Sequence, residues 1–389
     1  MDECSFVLTQ LMQQLPRRAF TRGVQRYHGD RRVRVFSCRD QFLCMAFAQL
    51  TFRDSLRDLV TCLRALGPKL YHVGLRGGIS RSTLADANER RDWRIWAHFA
   101  QHLIAQARRL YVEDDFGVQL QQTAYVLDAT VIDLCLTLFP WAHAQRTSGG
   151  IKVHTLMDLR GNIPCFLRVS STKATDASIL DQLPVEPGAF YIMDRGYNDY
   201  ARLYQLHLQH ATFIVRAKAN LSVQRLAATP VQRSTGLRSD QLVRFKHRQT
   251  AARYPEILRR VSFFDTEQQR RFVFMTNERQ LPALTIAELY RRRWRIELFF
   301  KWIKQHLRIK HFYGTSPNAV KTQLWIAISV YVLVAILRKQ LGIQRSLAEM
   351  LQILSLTLFE KTPLFTVLSR NYHTPQTTPP HNQLTLFDL

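Results

Sequence analysis

One segment, residues 290–304, constrains the fold of this chain more than any other stretch of its sequence. Four of its polar side chains are spaced by three, four and seven residues: Tyr290, Arg293, Glu297 and Lys304. Because an α-helix turns by about 100° per residue, all four fall within an arc of about 60°. The rest of the circumference is mostly apolar, which is typical of a buried helix, and a buried glutamate requires a cationic partner or a metal ion. The segment therefore predicts a packed helix, about 284–308, that turns a charged arc toward a functional site. The alternative is an ordinary solvated charged face.

An excess of basic residues predicts a polyanionic partner. The 389 residues include 54 Lys and Arg against 30 Asp and Glu, which gives a formal net charge of +24. Nucleic acid and an anionic membrane both satisfy this charge. The longest apolar run, residues 324–337, is short for a membrane span and fits a buried helix better. The sequence therefore favours nucleic acid, and no membrane partner is expected.

The cysteines and the first residues predict a cytoplasmic protein. Six cysteines are scattered without a CxxC pair, so we expect neither a disulfide framework nor a zinc site. The chain begins Met-Asp-Glu-Cys and lacks the basic and then apolar pattern of a secretory signal. A nucleic-acid-binding chain of this kind is expected in the cytoplasm, associated with the nucleoid.

Residues 1–117 are expected to form an all-helical, DNA-binding N-terminal domain. Apolar positions recur at helical spacing in 41–50, 55–66 and 94–110. The helix 55–66 and a second helix, 79–91, are similar to a helix-turn-helix unit, although the connection between them is long. The second helix would present side chains that read base edges or contact phosphates: Arg81, Ser82, Asn88 and Arg91. The alternative is an amphipathic helix with solvated arginines.

The hydrophobic period changes in residues 118–218, where short apolar runs alternate with helical patterns. Strands are predicted at 125–127, 152–156, 165–169, 189–193 and 212–216, and helices at 175–183 and 200–210. The predicted order is β-β-β-α-β-α-β. Residues 219–285 contain short alternating segments and predict a strand-rich insertion.

Helices return after the insertion. They are predicted at about 284–308, 320–340 and 345–359, and the Pro- and Thr-rich end is expected to be disordered. The expected organisation is a catalytic domain at 118–345 that includes the insertion, a C-terminal helical segment at 346–371 and a disordered tail at 372–389.

Two acids each end an apolar strand, and both are candidates for metal binding. Asp128 follows the first predicted strand and Asp194 follows the fourth. Together with Glu297, these side chains would supply the hard oxygen ligands that suit Mg²⁺ or Mn²⁺. Two such ions held close together activate a nucleophilic oxygen and stabilise the leaving oxygen of an in-line phosphoryl displacement. The three acids therefore indicate phosphodiester chemistry.

The order of strands and acids resembles the RNase H-like fold of DDE transposases. The spacing Y-x2-R-x3-E-x6-K looks like the signature of the bacterial insertion-sequence group often called the IS-four family. The motifs D-A-T at Asp128 and D-R-G-Y at Asp194 are similar to the first and second acid motifs of that group. In that group a β-strand insertion domain separates the second and third acids, and residues 219–285 match it. The resemblance covers roughly residues 123–340. It implies an α/β fold with an RNase H-like catalytic core, a mixed sheet flanked by helices, a β-rich insertion and an all-helical N-terminal domain.

The resemblance also implies a function, cut-and-paste DNA transposition. Asp128, Asp194 and Glu297 would be the catalytic residues and would hold two divalent ions, Mg²⁺ or Mn²⁺. Water would attack a phosphodiester at the transposon end, and the exposed 3′-hydroxyl would attack the opposite strand or the target DNA. Contacts to phosphates are implied for four residues: Tyr290, Arg293, Lys304 and Arg195. Two tryptophans, Trp294 and Trp302, would stack on a flipped base, although burial in a core is the commoner role of such side chains.

The expected partners are double-stranded DNA, as transposon ends and target, and a second copy of the chain when two ends are paired. Residues 383–387 predict one more partner. The pattern Q-L-x-L-F resembles the pentapeptide by which bacterial proteins dock into the sliding clamp, with four residues that would contact it: Gln383, Leu384, Leu386 and Phe387. The alternative is that this peptide packs against its own protein.

Two other functions compete with transposition. A host nuclease of the same fold would cleave DNA without strand transfer. A non-catalytic DNA-binding protein would use only the basic N-terminal domain and would not need Asp128. The complete set of three acids with Tyr290, Arg293 and Lys304 favours the transposase.

Overall fold

The computed structural model of the chain describes residues 5–134, 138–142, 149–219, 221–306 and 312–369. Seven α-helices precede the first described strand: α1 (Val7–Gln13), α2 (Arg17–Arg26), α3 (Cys38–Leu50), α4 (Leu56–Leu66), α5 (Lys69–Val73), α6 (Arg81–Arg90) and α7 (Arg94–Leu110). Serine caps explain several starts, because Ser37, Ser55 and Ser80 each accept a hydrogen bond from a backbone N–H of the first turn. The region is helical, as predicted.

The connection between the two helices of the predicted helix-turn-helix unit is long, as expected. It contains an additional helix, α5, and α4 and α6 contact each other across it. Gly67 has a positive φ of 44° at the end of α4, and Gly74 has a φ of 96° at the end of α5. These glycines adopt backbone conformations that other residues rarely take, and they end the two helices.

In the described part of the chain, nine strands form one sheet in the order β3-β2-β1-β4-β5-β9-β8-β7-β6. Their bounds are β1 (Ala124–Leu134), β2 (Gly149–Asp158), β3 (Ile163–Ser171), β4 (Phe190–Met193), β5 (Thr212–Arg216), β6 (Val223–Thr229), β7 (Leu237–Phe245), β8 (Leu258–Asp265) and β9 (Arg270–Thr276). Strands β1, β4 and β5 are parallel, whereas β2 pairs antiparallel with β1 and β3 pairs antiparallel with β2. This mixed sheet with flanking helices confirms the predicted α/β class with an RNase H-like core.

The strands of the insertion extend the core sheet instead of forming a separate one. Strand β9 pairs antiparallel with β5, and β8, β7 and β6 continue outward. In the outer part, Arg259 on β8 donates two hydrogen bonds to Asp240 on β7, at 2.8 and 2.7 Å, and both side chains are buried. Because a buried charge requires a partner, this bidentate ion pair ties the two strands together.

Seven further α-helices complete the described chain: α8 (Tyr200–Leu208), α9 (Arg248–Arg253), α10 (Ala283–Arg291), α11 (Trp294–His306), α12 (Pro317–Gln340), α13 (Leu347–Thr357) and α14 (Leu364–Ser369). The helix predicted at 175–183 is a 3₁₀ helix, Asp176–Gln182. Helix α12 packs on α3, α6, α7 and β3. By length and composition this helix could cross a membrane, but 94% of its most apolar stretch is buried inside the protein. It is therefore the central core helix.

The prediction of one continuous helix over about 284–308 was wrong. Helix α10 ends at Arg291, and α11 begins at Trp294 after a turn at Arg292 and Arg293. The backbone N–H groups of Arg292 and Arg293 bond three residues back, to Leu289 and Tyr290. This tighter winding changes the rotation per residue, so the faces of α10 and α11 do not follow one helical wheel.

Candidate active site

The first two candidate acids lie side by side in the middle of the sheet, where the parallel pairing of β1 and β4 ends. Leu127 on β1 is in register with Met193 on β4, and the next residues along the two strands are Asp128 and Asp194. Neighbouring strands are about 4.8 Å apart. The buried apolar runs that precede both acids fix the backbone, so the carboxyl groups are presented from a rigid support. Asp194 follows the end of β4, as predicted, and the two acids are adjacent. The prediction that Asp128 ends its strand was wrong, because β1 continues beside β2 as far as Leu134.

The third acid approaches from α11 and is linked to the first through an arginine. Arg293 Nη1 donates to Asp128 Oδ2 at 2.8 Å, and Arg293 Nη2 donates to Glu297 Oε1. The side chains of Asp128 and Arg293 are 18% exposed, and that of Glu297 is 33% exposed. The turn between α10 and α11 places Arg293 where one guanidinium reaches both carboxylates.

The electrostatics of Asp128 reflect this crowding. Burial raises the pKa of Asp128 to about 6, the guanidinium of Arg293 opposes the rise, and the charges of Asp194 and Glu297 add to it. Burial works to lower the pKa of Arg293, but Tyr290, Asp128 and Glu297 together raise it. The three acids therefore lie within electrostatic reach of one another, in a site where added positive charge is stabilising.

The donor chemistry of this site fits a hard divalent cation, because its ligands are carboxylate oxygens. As the side chains stand, no group of three acids, histidines or cysteines among the described residues is close enough to hold a metal ion. Arg293 explains this for one pair, since its guanidinium occupies oxygens of both Asp128 and Glu297. A cation bound by these two acids would replace Arg293 at one or both of them.

A buried tyrosine lies close to the acids. Tyr197 is fully buried on the 3₁₀ turn that follows Asp194, and its hydroxyl has no partner among the described residues. Burial holds the pKa of Tyr197 well above its usual value, and the charges of Asp128, Asp176 and Asp194 reinforce the shift. The phenol is therefore neutral and adds no negative charge to the site.

The predicted charged arc is only partly assembled. Tyr290 is buried, and its ring packs on Phe274 with centroids 4.6 Å apart, while the guanidinium carbon of Arg293 lies 5.7 Å from the Tyr290 centroid. Lys304 is exposed farther along α11, with no carboxylate partner among the residues that the structure describes. The prediction that α11 is apolar nearly all round and buried was wrong for Trp294 and Leu298, which are 58% and 51% exposed.

A cavity beside the second acid is lined by positive charge, and of its cations only Arg195 was predicted to have a role. It has a volume of about 650 Å³, and its lining includes Arg195, Arg216, Lys218, Arg260 and Arg271. We call it the cationic cavity. Within the described part of the chain, none of the five cations forms an ion pair with a carboxylate. Arg216 could have been identified from the sequence by its position at the end of a predicted strand. That strand, β5, pairs with β4, the strand that precedes Asp194.

The cationic cavity lies between the core and the insertion. Arg216 is on β5 of the core, whereas Arg260 is on β8 and Arg271 is on β9 of the insertion. Arg260 donates to Gln241 Oε1 at 3.2 Å, and Arg271 donates to Ser262 Oγ at 2.8 Å. Burial and the charge of Arg271 lower the pKa of Arg260. These neutral partners orient the guanidinium groups without cancelling their charge, so the cavity is suited to an anion.

Of the four side chains predicted to read DNA from α6, two are exposed and two are not available. Arg81 and Ser82 are exposed at the start of the helix. Asn88 is 1% exposed and accepts a hydrogen bond from Gln41 Nε2 at 2.7 Å. Arg91 donates to Ser37 O at 3.0 Å and to Gln41 at 2.9 Å. The assignment of Asn88 and Arg91 to DNA was therefore wrong, since both hold α6 against α3. The four predicted clamp residues, Gln383, Leu384, Leu386 and Phe387, lie outside the described residues.

Comparisons with known proteins show the family to which this chain belongs. Residues 119–333 match the model of the transposase DDE domain, which is more than half of the chain. Residues 3–76 match DUF4372, a domain of unknown function.

Three relatives are named as transposases. A protein of Sinorhizobium fredii (strain NBRC 101917 / NGR234), y4zB, is 31% identical over 286 residues, which cover 72% of this chain and 77% of the relative. The transposase named for insertion sequence element IS5377 of Geobacillus stearothermophilus is 29% identical over 214 residues, 54% of this chain and 55% of the relative. That named for IS4SA of Synechocystis sp. is 24% identical over 289 residues, 71% of this chain and 77% of the relative.

Among solved structures, the piggyBac transposase synaptic complex with hairpin DNA is similar with a TM-score of 0.48 and 10% identity, covering 90% of this chain and 79% of that chain.

Proposed function

Because this chain belongs to the transposase DDE-domain family and is a DNA transposase, an enzyme that cleaves DNA and transfers strands, we propose that Asp128, Asp194 and Glu297 are its catalytic carboxylates. The observation that carries the proposal is the position of Asp128 and Asp194 directly after a registered pair of β1 and β4, together with the link from Asp128 to Glu297 through Arg293. Family membership favours this function over a host nuclease or a non-catalytic DNA-binding protein. The spacing from Tyr290 to Lys304 supports assignment to the IS-four group.

The family uses divalent metal ions. We propose that the three carboxylates of this chain hold two of them, Mg²⁺ or Mn²⁺. When bound, such ions supply Lewis acidity and make a water molecule a stronger nucleophile. The carboxylates fix the positions of the ions, while Arg293 and Lys304 hold phosphate oxygens by charge-assisted hydrogen bonds.

The proposed reaction is cut-and-paste transposition. In the first step a water oxygen bonds to phosphorus at the transposon end, the bond from phosphorus to the 3′ oxygen breaks, and the water proton passes to solvent. The released 3′ oxygen takes up a proton. In strand transfer this 3′-hydroxyl oxygen loses its proton and bonds to phosphorus of another strand, where a second 3′ oxygen leaves and is protonated.

The cationic cavity supplies the electrostatic support for this reaction. Its five cations begin at Arg195, immediately after Asp194, and continue across β5, β9 and β8. A DNA strand that passes over Asp194 would meet this cavity next. Each Lys or Arg that neutralises a phosphate releases counterions, so the cavity predicts salt-sensitive DNA binding close to the acids.

The test is cleavage of a duplex taken from the DNA that flanks the coding region, with and without Mg²⁺. Asp128→Asn is expected to abolish cleavage while leaving DNA binding within about two-fold. The matched control is Asp133→Asn, which removes an exposed acid on the same strand, and it is expected to cleave normally. Strand transfer is scored in the same reactions by joining of the 3′-hydroxyl end to a labelled target. Normal cleavage by Asp128→Asn would refute the assignment of the acids.

We also propose that two copies of the chain act together when two ends are paired, and that the enzyme works on the nucleoid in the cytoplasm.

We further propose that residues 383–387 bind the bacterial sliding clamp. Leu386→Ala with Phe387→Ala should abolish co-purification of the clamp. The control changes His381 and Asn382 to Ala in the same peptide. Clamp retention by the first variant would contradict the docking proposal and would leave the catalytic assignment intact.

A further inference from the structure

Helix α2 and the segment after it carry a dense set of arginines that the catalytic site does not use. Seven arginines occur between positions 17 and 34, and Asp30 is the only acid between positions 14 and 39. Asp30 Oδ1 accepts a hydrogen bond from the backbone N–H of Cys38 at 2.6 Å, so this acid holds the loop. The whole segment lies in the matched domain of unknown function, residues 3–76.

One side of α2 fixes the helix to the protein. Ala19, Gly23 and Val24 are buried, and the ring of Phe20 packs on Phe99 with centroids 5.2 Å apart. A Cβ added at Gly23 would lie 3.1 Å from the ring of His98 on α7, so the two helices approach closely at this glycine. The opposite side of α2 is therefore presented by a rigid support.

That opposite side, which we call the α2 face, consists of Arg17, Arg18, Thr21, Arg22, Gln25 and Arg26, all of them exposed. At about 100° per residue, these side chains cover half the circumference of the helix. Arg18, Arg22 and Arg26 follow one another at steps of four residues, at which like charges repel along a helix. Among the described residues no carboxylate pairs with them, and Arg22 faces His102 Nε2 at 3.4 Å.

The side chains between the arginines are suited to reading bases. By rotation, Thr21 and Gln25 lie between Arg17 on one side and the row Arg18, Arg22 and Arg26 on the other. Glutamine donates to and accepts from the major-groove edge of adenine, and threonine contacts the methyl group of thymine. Phosphate contacts by flanking arginines set the position of such a helix on the duplex.

We infer that the α2 face binds double-stranded DNA, with its arginines on phosphates and Gln25 and Thr21 on base edges. Exposed Arg31, Arg32 and Arg34 follow α2 and extend the contact to the adjacent backbone. The inference deepens the proposed function, since it requires DNA as the substrate but no particular catalytic residue. It gives the matched domain of unknown function a role in holding DNA outside the catalytic centre, and it moves the predicted contact from α6 to α2.

The experiment measures binding by the full-length protein in EDTA, where no cleavage occurs, using fluorescence anisotropy. The probes are a labelled duplex of about 40 base pairs from the DNA flanking the coding region and an unrelated duplex of the same length. Changing Arg18, Arg22 and Arg26 to Gln is expected to weaken binding of both at least ten-fold. The log–log salt slope should fall by about 2.7, or 0.9 for each phosphate that is no longer neutralised. Changing the same residues to Lys should preserve most of the affinity and shows that the helix still folds.

The matched control changes three exposed cations of the same domain, Arg57, Arg64 and Lys69, to Gln, and binding should change less than two-fold. Equal losses in both triple variants, or an equally strong competition by duplex RNA, would overturn the inference. Gln25→Ala should reduce the preference for the flanking duplex without changing the salt slope, and an unchanged preference would remove base reading from the proposal. The proposed function fails separately, if the unmodified protein binds the flanking duplex yet does not cleave it with Mg²⁺.

Discussion

Arg293 donates through Nη1 to Oδ2 of Asp128 across 2.8 Å, which links the turn between α10 and α11 to the strand that carries the first acid. The same guanidinium also bonds Glu297, so one cation neutralises part of the charge of two acids. A cation bound by these acids, as proposed, would therefore compete with Arg293 for the same oxygens. In that proposal Arg293 holds the two carboxylates together before DNA binds, a cation then replaces its guanidinium, and the guanidinium becomes available to a phosphate.

Replacement of Arg293 by Gln is expected to strengthen Mn²⁺ binding by the DNA-free protein about three- to ten-fold. The loss of a positive charge within hydrogen-bonding distance of the ligands removes a competitor and an electrostatic repulsion. Titration followed by electron paramagnetic resonance measures the affinity directly. The control is Arg292→Gln, because Arg292 donates to the backbone oxygen of Gly117 and not to a carboxylate. Weaker Mn²⁺ binding in Arg293→Gln than in the control would contradict the competition.

The adjacency of the first two acids was predictable from the sequence because its signal is local. The apolar runs before Asp128 and Asp194 mark buried strands, and the parallel pairing of these runs brings the residues that follow them together. The continuation of β1 to Leu134 depends on its pairing with β2 and was not predicted. The spacing from Arg293 to Glu297 was also informative, because it lies at the start of α11, where four residues make about one turn. Local sequence patterns were therefore sufficient to predict features within a regular strand or helix.

Features that depend on tertiary pairing could not be predicted. The break at Arg292 and Arg293 separates α10, which packs on β8, β7 and β4, from α11, which packs on β1. Trp294, at the start of α11, is exposed although the sequence predicted a buried helix. Arg216 and Arg271 meet only because β5 pairs with β9, across an insertion of unpredictable geometry. Asn88 is a polar residue on an amphipathic helix, and sequence does not reveal that its partner is Gln41.

The buried ion pair in the outer sheet predicts a large effect on stability. Arg259→Met leaves Asp240 buried without its partner, and we expect a loss of about 3–5 kcal/mol in the free energy of unfolding. Changing Asp240 to Leu in the same protein should recover most of that loss, because no buried charge remains. Urea denaturation followed by tryptophan fluorescence measures both. The exposed pair of Arg94 and Asp92 is the control, and Arg94→Met should cost less than about 0.5 kcal/mol.

His154 predicts a loss of stability at acidic pH. Burial lowers the pKa of His154 to about 4, Lys152 lowers it further and Asp176 opposes the shift, while Nε2 lies 2.9 Å from Ser170 Oγ. Because the unfolded chain binds this proton at a pKa of about 6.5, the stabilisation is fully present above pH 6.5 and falls as the pH drops toward 4. The total effect is at most about 3.4 kcal/mol, at 1.36 kcal/mol for each pKa unit between the unfolded and the folded value.

His154→Gln should flatten the dependence of the free energy of unfolding on pH between 6.5 and 4, whatever its effect at neutral pH. Urea denaturation at a series of pH values measures the slope. His247→Gln changes an exposed histidine of the insertion and should leave the slope as it is in the unmodified protein. An unchanged slope in His154→Gln would show that the buried imidazole is not the group that titrates.

The cationic cavity predicts a specific loss of DNA binding. Changing Arg260 and Arg271 to Gln removes two cations that have no carboxylate partner among the described residues. We expect the log–log salt slope for duplex binding to fall by about 1.8 if both contact phosphates. The control removes two exposed arginines of the same insertion, Arg225 and Arg244. Identical slopes for the two double variants would place the DNA elsewhere on the protein.

The two tryptophans of α11 are expected to have different roles. Trp302 should matter for stability, and Trp294 for contact with DNA. Trp302 packs on Tyr331 with centroids 4.7 Å apart and stacks on Phe299, so Trp302→Ala should cost about 2–4 kcal/mol in unfolding free energy. Trp294 is 58% exposed and lines a second cavity, of about 670 Å³, beside Glu297 and Tyr290. Its replacement by Ala should change stability by less than about 1 kcal/mol.

An exposed indole beside the acids has the geometry to stack on a base that leaves the duplex near the cleaved phosphate, and stacking of this kind contributes about 1–3 kcal/mol per base. A 2-aminopurine placed at the base next to the cleaved phosphate reports it, since the probe fluoresces when it is unstacked and is quenched by stacking on an indole. With Trp294→Ala the bound probe should be brighter than with the unmodified protein, and cleavage should be slower. Trp141→Ala, which changes another exposed tryptophan, should alter neither quantity. Equal quenching with and without Trp294 would mean that the indole does not receive the base, and Trp294 would then be a surface residue with no part in processing the DNA end.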